Sequence, residues 1–170
     1  MNPSSAPYWV EPLKDHDRTT FVCGIYELDR YFHHQASQDM RRHVAAPFVL
    51  VDESKTVVGY YTLSAYGIRP EELPPQVAKK LPHYPLIPAT LLGRLAIHRD
   101  HQGKQLGRFL LMDALYRSWA NAAEIASIGV VAEAYDDSAS QFYSRHQFIS
   151  LIDHPNKLFI AMATIKSAFA

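Results

Sequence analysis

Residues 94–115 read R-L-A-I-H-R-D-H-Q-G-K-Q-L-G-R-F-L-L-M-D-A-L, a short apolar strand joined to an amphipathic helix by a basic loop that carries glycine. That layout is suited to holding a phosphate. Gly103 and Gly107 let backbone approach a ligand with no Cβ in the way, and the amides that open the helix have no intrahelical partner and lie at the positive end of its dipole. Arg99, Lys104 and Arg108 contribute full charges against Asp100 alone. An anion is the expected guest, and the rest of the chain has to identify it.

At 170 residues the chain has the size of one ordinary domain, long enough to bury roughly 70% of its unfolded surface around one core. Hydrophobic residues at 48% and charged residues at 20% exclude the polar, charge-dominated signature of disorder. Lys plus Arg equals Asp plus Glu at 17 each, so no global field advertises nucleic acid and any basic surface has to be a local patch. Cys23 is the lone cysteine, which excludes an internal disulfide and a cysteine-rich zinc site and fits a reducing, cytoplasmic setting. The start, M-N-P-S-S-A-P-Y-W-V, lacks both a basic n-region and an apolar h-region, and no apolar run approaches a membrane span. Neither export by that route nor membrane insertion is expected.

Working outward from the loop, the run A-T-L-L-G-R-L-A-I (89–97) predicts a long, largely buried strand. Residues 107–123 predict a helix with Leu110, Leu111, Ala114, Leu115 and Ser118 on one side. Upstream, residues 25–43 place Leu28, Phe32, Ala36 and Met40 at four-residue spacing, an apolar helical stripe. Residues 46–52 and 57–66 read as a hairpin of two strands. The proline-rich stretch 70–88 reads as an irregular connection. Downstream, residues 128–134 form another buried strand, 136–145 a short helix begun by aspartate and serine, and 148–151 and 158–163 two final strands. With a further strand near residues 8–13, the order is that of a mixed α/β protein. It predicts a central mixed, twisted sheet of about six or seven strands with helices on both faces.

The loop Gln102, Gly103, Lys104, Gln105, Leu106, Gly107 resembles the Gln/Arg-x-x-Gly-x-Gly/Ala signature of the GNAT N-acetyltransferases, with Gln105 where that family has glycine. Nearly the whole chain resembles a narrower group, the bacterial toxins of toxin–antitoxin systems that acetylate aminoacyl-tRNA. The resemblance lies in H-D-R-T-T-F-V-C-G-I-Y-E-L-D-R-Y-F (16–32), V-G-Y-Y-T-L (58–63), L-G-R-L-A-I (92–97), the loop with its L-L-M-D-A-L, and A-S-Q-F-Y-S-R-H-Q-F (139–148). In the last of these Gln147 replaces a glycine, a change that falls on a helix C-cap. The resemblance implies one GNAT domain over residues 1–170.

It also implies acetyl-CoA as cosubstrate, and no metal. The backbone amides of residues 103–108 would cradle the pyrophosphate, with Arg99, Lys104 or Arg108 for the outer phosphate, and the backbone of Leu95, Ala96 and Ile97 would pair with pantetheine. An added Cβ at Gln105 predicts that Gln105→Gly tightens acetyl-CoA binding. Tyr143 matches the family's catalytic tyrosine, the acid for the leaving sulfur. Judged on pattern alone, it reads as a core aromatic of an amphipathic helix. Glu133 could polarise the amine or a water, or bind backbone amides at its strand end. Arg41 and Arg42 at the end of the first helix, and Arg94 with Arg99, are candidates for tRNA phosphates, although cations at a helix C-terminus also satisfy its dipole. His98 and His101 read as solvated loop residues.

The implied reaction is transfer of acetyl to the α-amine of aminoacyl-tRNA, blocking translation. The implied partner is a ribbon-helix-helix antitoxin that alone brings the complex to promoter DNA; monomer and homodimer both remain open. Two other readings compete: a housekeeping acetyltransferase of small amines or protein N-termini, favoured by the neutral charge, and a catalytically silent acyl-CoA-binding module, suggested by Gln105.

Overall fold

The apolar run that ends at the loop forms the strand β4 (Ile87–Ile97), and the helix that leaves the loop is α4 (Leu106–Asn121). The computed structural model describes residues 7–169; the leader-free reading of residues 1–6 lies outside them. Ahead of β4 come β1 (Trp9–Pro12), α1 (Tyr26–His34), α2 (Ala36–Arg41), β2 (Ala46–Val51), β3 (Val57–Ile68), a 3₁₀ turn (Pro70–Glu72) and α3 (Pro75–Ala78). After α4 come β5 (Gly129–Glu133), α5 (Asp137–Arg145), β6 (Ile149–Leu151), β7 (His154–Ala161) and α6 (Met162–Phe169). The strands form one seven-stranded mixed sheet in the order β1-β2-β3-β4-β5-β7-β6. β4 and β5 pair in parallel through Thr90↔Val130, Leu91↔Val131 and Leu92↔Ala132, while β2 runs antiparallel to β1 and β3, and β7 to β5 and β6.

The described residues fall into two compact units. One holds residues up to 63 with 94–114; the other holds 64–93 with those from 115 on. The first has an aromatic core. Tyr60 stacks on Phe32 at 4.3 Å between ring centroids, Phe21 meets both rings edge-on, and the Tyr60 hydroxyl donates to the Leu28 carbonyl at 2.7 Å. The expected helical stripe faces this core, with Phe32 and Ala36 fully buried and Leu28 and Met40 packed against it. The second unit closes around Ile68, Leu73, Ala89, Val131, Leu151 and Phe159. The residues expected on the inner side of α4 are all buried, Ser118 included.

Two expectations need correction. The helix expected over 25–43 is broken at Gln35, whose backbone (φ −120°, ψ −30°) ends α1 while α2 starts at the next residue. Four-residue spacing survives such a break because the same face stays apolar on both sides. The final strand expected at 158–163 instead starts at His154 and stops at Ala161, and a helix, α6, follows. The polar H-P-N-K that opens β7 hides its pairing, seen in Glu133↔Lys157.

Gly129 is demanded by close approach. A Cβ placed there would lie 2.3 Å from the Ile160 carbonyl oxygen and 2.6 Å from the Phe159 ring. Overpacking of this kind costs about 3 kcal/mol, so Gly129→Ala should lower the melting temperature by roughly 10 °C in a thermal scan.

Candidate functional site

Between β4 and α4 the chain makes a 3₁₀ turn, Arg99–His101, capped by His98. Nδ1 of His98 accepts from the Asp100 amide (3.1 Å), so Nε2 carries the proton and donates to the Thr20 carbonyl (3.1 Å). The expectation of a solvated His98 is therefore overturned: its side chain is 14% exposed and fully engaged. His101 is half-buried with an Nδ1 that finds no partner among the described residues; burial first, then Lys104 and His98, depress its basicity. Among the described residues no three metal-ligating side chains converge.

Gln102, though exposed, ties the loop down. Its Nε2 donates to the Ile97 carbonyl at 2.9 Å and to the Cys23 carbonyl at 3.0 Å, so the side chain is spent on the protein's own backbone. Gly103 (φ +80°) and Gln105 (φ +61°) are both left-handed, and Lys104 between them is exposed. A non-glycine residue held there costs about 1 kcal/mol. Because Gln105 already has this conformation in the folded chain, the cost falls on folding rather than on binding. The amides of residues 103–108 donate to no carbonyl among the described residues, and the last three of them open α4. A turn of left-handed residues leading into a helix N-terminus aims backbone N–H groups at one point, the arrangement that binds an anion. Arg99 and Arg108 are exposed on the same stretch.

The parallel ladder of β4 on β5 ends at Leu92, five residues before β4 itself ends. Leu95, Ala96 and Ile97 lie in that last stretch, whose backbone could take a ligand in the manner of an added strand.

In the second unit α5 begins at the N-cap Asp136, whose Oδ1 accepts from the Ala139 amide at 2.8 Å. The helix carries Tyr143 inward, 3% exposed, with its ring against Phe142 and Phe148 at 5.3 and 5.2 Å. Burial alone raises its phenol, and no described residue hydrogen-bonds the hydroxyl. Gln147 adopts φ +71° just past the helix end, and the Phe148 amide returns to the Tyr143 carbonyl at 3.2 Å. The glutamine thus fills the left-handed cap position that glycine would favour. Glu133 ends β5, exposed and in register with Lys157, which donates to the Tyr66 hydroxyl at 2.9 Å and feels the Glu133 charge.

Two of the arginines expected to meet phosphates, Arg42 and Arg94, act in the first unit on an acidic residue with no motif of its own, Asp39. Asp39 accepts from the Tyr31 hydroxyl (2.8 Å) and from Gln35 Nε2 (2.9 Å). Partial burial pushes its carboxyl up, but those two bonds and the charges of Arg94 and Arg42 outweigh it and hold it below the usual range. The Arg94 guanidinium lies 3.4 Å from the centre of the Tyr31 ring. Arg18, held on the Phe32 carbonyl at 2.8 Å, is depressed by burial and then by repulsion from Arg41. Arg99 sits instead in the 3₁₀ turn, its amide on the Val22 carbonyl.

Residues 45–150 match the acetyltransferase (GNAT) domain family. A tRNA-acetylating toxin of Mycobacterium tuberculosis is 31% identical over 148 residues, covering 87% of this chain and 86% of its own. The fold is also that of AtaT complexed with acetyl-methionyl-tRNAfMet (TM-score 0.89, 29% identity, 96% of this chain and all of that one). A tyrosine-to-phenylalanine mutant of AtaT, bound to the C-terminus of the antitoxin AtaR and acetyl-CoA, matches with TM-score 0.82 at 26% identity, over 96% of this chain and 98% of that one. The chain belongs to the GNAT acetyltransferase family.

The Gln102 tether makes a graded prediction. Gln102→Ala removes both bonds, about 1.4 kcal/mol or tenfold in acetyl-CoA affinity. Gln102→Glu sets a carboxylate against two carbonyl oxygens and should be worse than alanine. Calorimetric titration with acetyl-CoA ranks the two.

Proposed function

We propose that this chain is a toxin that transfers acetyl from acetyl-CoA to the α-amine of aminoacyl-tRNA. The observation that carries the reading is Tyr143, a buried, neutral phenol whose hydroxyl has no partner among the described residues, in a GNAT chain whose relative is a tRNA-acetylating toxin. The housekeeping alternative is dropped, because the relatives are toxins and AtaT is seen with an acetylated, charged tRNA. Family membership likewise favours an enzyme over a silent binding module.

The amides of Gly103, Lys104, Gln105, Leu106, Gly107 and Arg108 hold the pyrophosphate of acetyl-CoA, with Gln102 as the brace behind them. Leu95, Ala96 and Ile97 pair through their backbone with pantetheine. The α-amine attacks the thioester carbonyl: a C–N bond forms, the C–S bond breaks, and the phenolic proton of Tyr143 passes to the departing sulfur. The proton released by the acylated nitrogen then restores the phenol directly or through water. A free α-amine with pKa about 7.7–8.0 is already roughly a tenth deprotonated at pH 7, and an aminoacyl ester is more acidic still. No dedicated strong base is needed, which leaves Glu133 in an ancillary part, orienting the amine or a water.

The remaining parts of the proposal follow the same reading. The two units act as a single GNAT domain. The partner is a ribbon-helix-helix antitoxin whose tail inhibits the toxin and which carries the complex to its promoter DNA; AtaT is seen with the C-terminus of its antitoxin. Among the described residues no helix is long and apolar enough to cross a membrane, and the proposed tRNA substrate is one met in the cytoplasm. A homodimer would use the exposed Tyr116, which is ringed by Trp119 and Phe169 at 5.9 and 5.4 Å.

Induced expression should arrest growth, and Tyr143→Phe should relieve the arrest with kcat reduced about 10²-fold or more. Normal growth on strong induction of soluble wild-type protein would sink the toxin claim. The pH profile has a definite shape too. Burial raises the Tyr143 pKa, so the acid stays protonated above its ordinary value near 10. kcat/KM should rise with deprotonation of the amine to a plateau near pH 8 and show no alkaline decline through about pH 9.5 in initial-rate measurements.

A further inference from the structure

A chain with equal numbers of acidic and basic residues still holds two close sets of arginines. Arg42 and Arg94 both act on Asp39, and Arg41 acts on Arg18. Asp39 accepts from Tyr31 through one oxygen and from Gln35 through the other. Two arginines against one carboxylate leave a positive charge unmatched, which is capacity for a further anion.

Arg94 is the most constrained member. It projects from β4, three residues before the strand ends, and its guanidinium carbon sits over Tyr31, 3.4 Å from the ring centre, a separation that leaves room only for face-to-face stacking. No described residue accepts a hydrogen bond from it. Tyr31 is itself immobilised, 8% exposed, with its hydroxyl bonded to Asp39 at 2.8 Å. The stack covers one face of the guanidinium and leaves the donors at its edge, which lie in one plane and suit two oxygens of a single phosphate. If Arg94 only balanced Asp39, an ion pair would be expected between them. The contact made is instead with the ring.

We infer that Arg94 anchors a phosphate of the acceptor strand of charged tRNA, and that Tyr31 and Asp39 are positioning residues that hold its guanidinium flat and correctly turned. This rests on the aminoacyl-tRNA reading above. It separates Arg94 from Arg41 and Arg42, which supply surrounding charge, and from Arg99, which belongs to the cofactor loop. It also explains why a tyrosine, rather than an aliphatic residue, occupies a position on the stripe side of α1: the ring is the shelf and the hydroxyl is its fixing point.

The test is steady-state kinetics of acetyl transfer to charged tRNA at several salt concentrations, with wild type, Arg94→Ala, Arg94→Lys, Tyr31→Phe and Asp39→Asn. Arg94→Ala should raise KM for charged tRNA about tenfold and flatten the dependence of log(kcat/KM) on log[salt] by a slope of about 0.7–1, the loss of one phosphate contact. Arg94→Lys keeps the charge and hence the slope, yet should still raise KM about fivefold because an ammonium neither stacks nor binds bidentately. Tyr31→Phe and Asp39→Asn should raise KM about threefold with the slope unaltered, since one hydrogen bond is lost and no charge contact with the RNA. In all four, KM for acetyl-CoA serves as the reference and should move less than twofold. A merely structural role would move both KM values together and leave the salt slope alone. Wild type that acetylates charged tRNA, with Arg94→Ala and Arg94→Lys matching it in KM and slope, overturns this inference alone. Wild type that transfers no acetyl to charged tRNA overturns the functional reading and this inference with it.

Discussion

One carboxamide, that of Gln102, decides whether the chain after β4 is a fixed loop or a loose turn. Its Nε2 bridges the Ile97 carbonyl, where β4 ends, and the Cys23 carbonyl, well upstream in the chain. Without those bonds the stretch after the 3₁₀ turn has little to hold it, since Gly103, Lys104, Gln105 and Arg108 are exposed. With them, left-handed backbone at Gly103 and Gln105 turns the chain into α4 with its first amides unspent. Strain of about 1 kcal/mol at Gln105 is then part of the loop's fixed shape. Preorganisation of this sort matters because an anion bound by a rigid set of N–H groups demands no reordering of the protein when it arrives.

On the proposed mechanism the chemistry asked of Tyr143 is correspondingly light. An aminoacyl ester presents an amine that is substantially unprotonated near neutrality, so the demanding proton transfer is to the leaving sulfur. A phenol suits that task when it is kept neutral. Tyr143 is kept so by burial, without any neighbouring charge. The absence of a described hydrogen-bond partner leaves the hydroxyl available to a ligand. Recognition of the acceptor then falls to local charge, because the chain has no net field.

The strands and helices were legible because their signals are periodic. The stripe of Leu28, Phe32, Ala36 and Met40, the apolar run into Ile97 and the inner side of α4 all repeat at helical or strand spacing and all face a core. The glycine-bearing loop was legible from its motif, and Gln147 was correctly assigned to a cap by its position after α5. What escaped has no periodicity. The break at Gln35 changes one residue's dihedrals without altering the apolar face. The engaged ring of His98 depends on Thr20, 78 residues away. Likewise, Asp39 acquires its meaning only when Tyr31 and Arg94, from a helix and a distant strand, meet beside it. Such contacts follow from tertiary packing, which a single sequence encodes but does not display.

The central claim is that the acetyl group ends on the α-amine of an amino acid esterified to tRNA. The most direct measurement is incubation of the protein with acetyl-labelled acetyl-CoA and total charged tRNA, followed by mild alkali. Label that travels with the RNA, and that alkali releases as N-acetylamino acid, is the predicted result. Label confined to small amines or to protein N-termini, with charged tRNA left unmodified, would contradict the account.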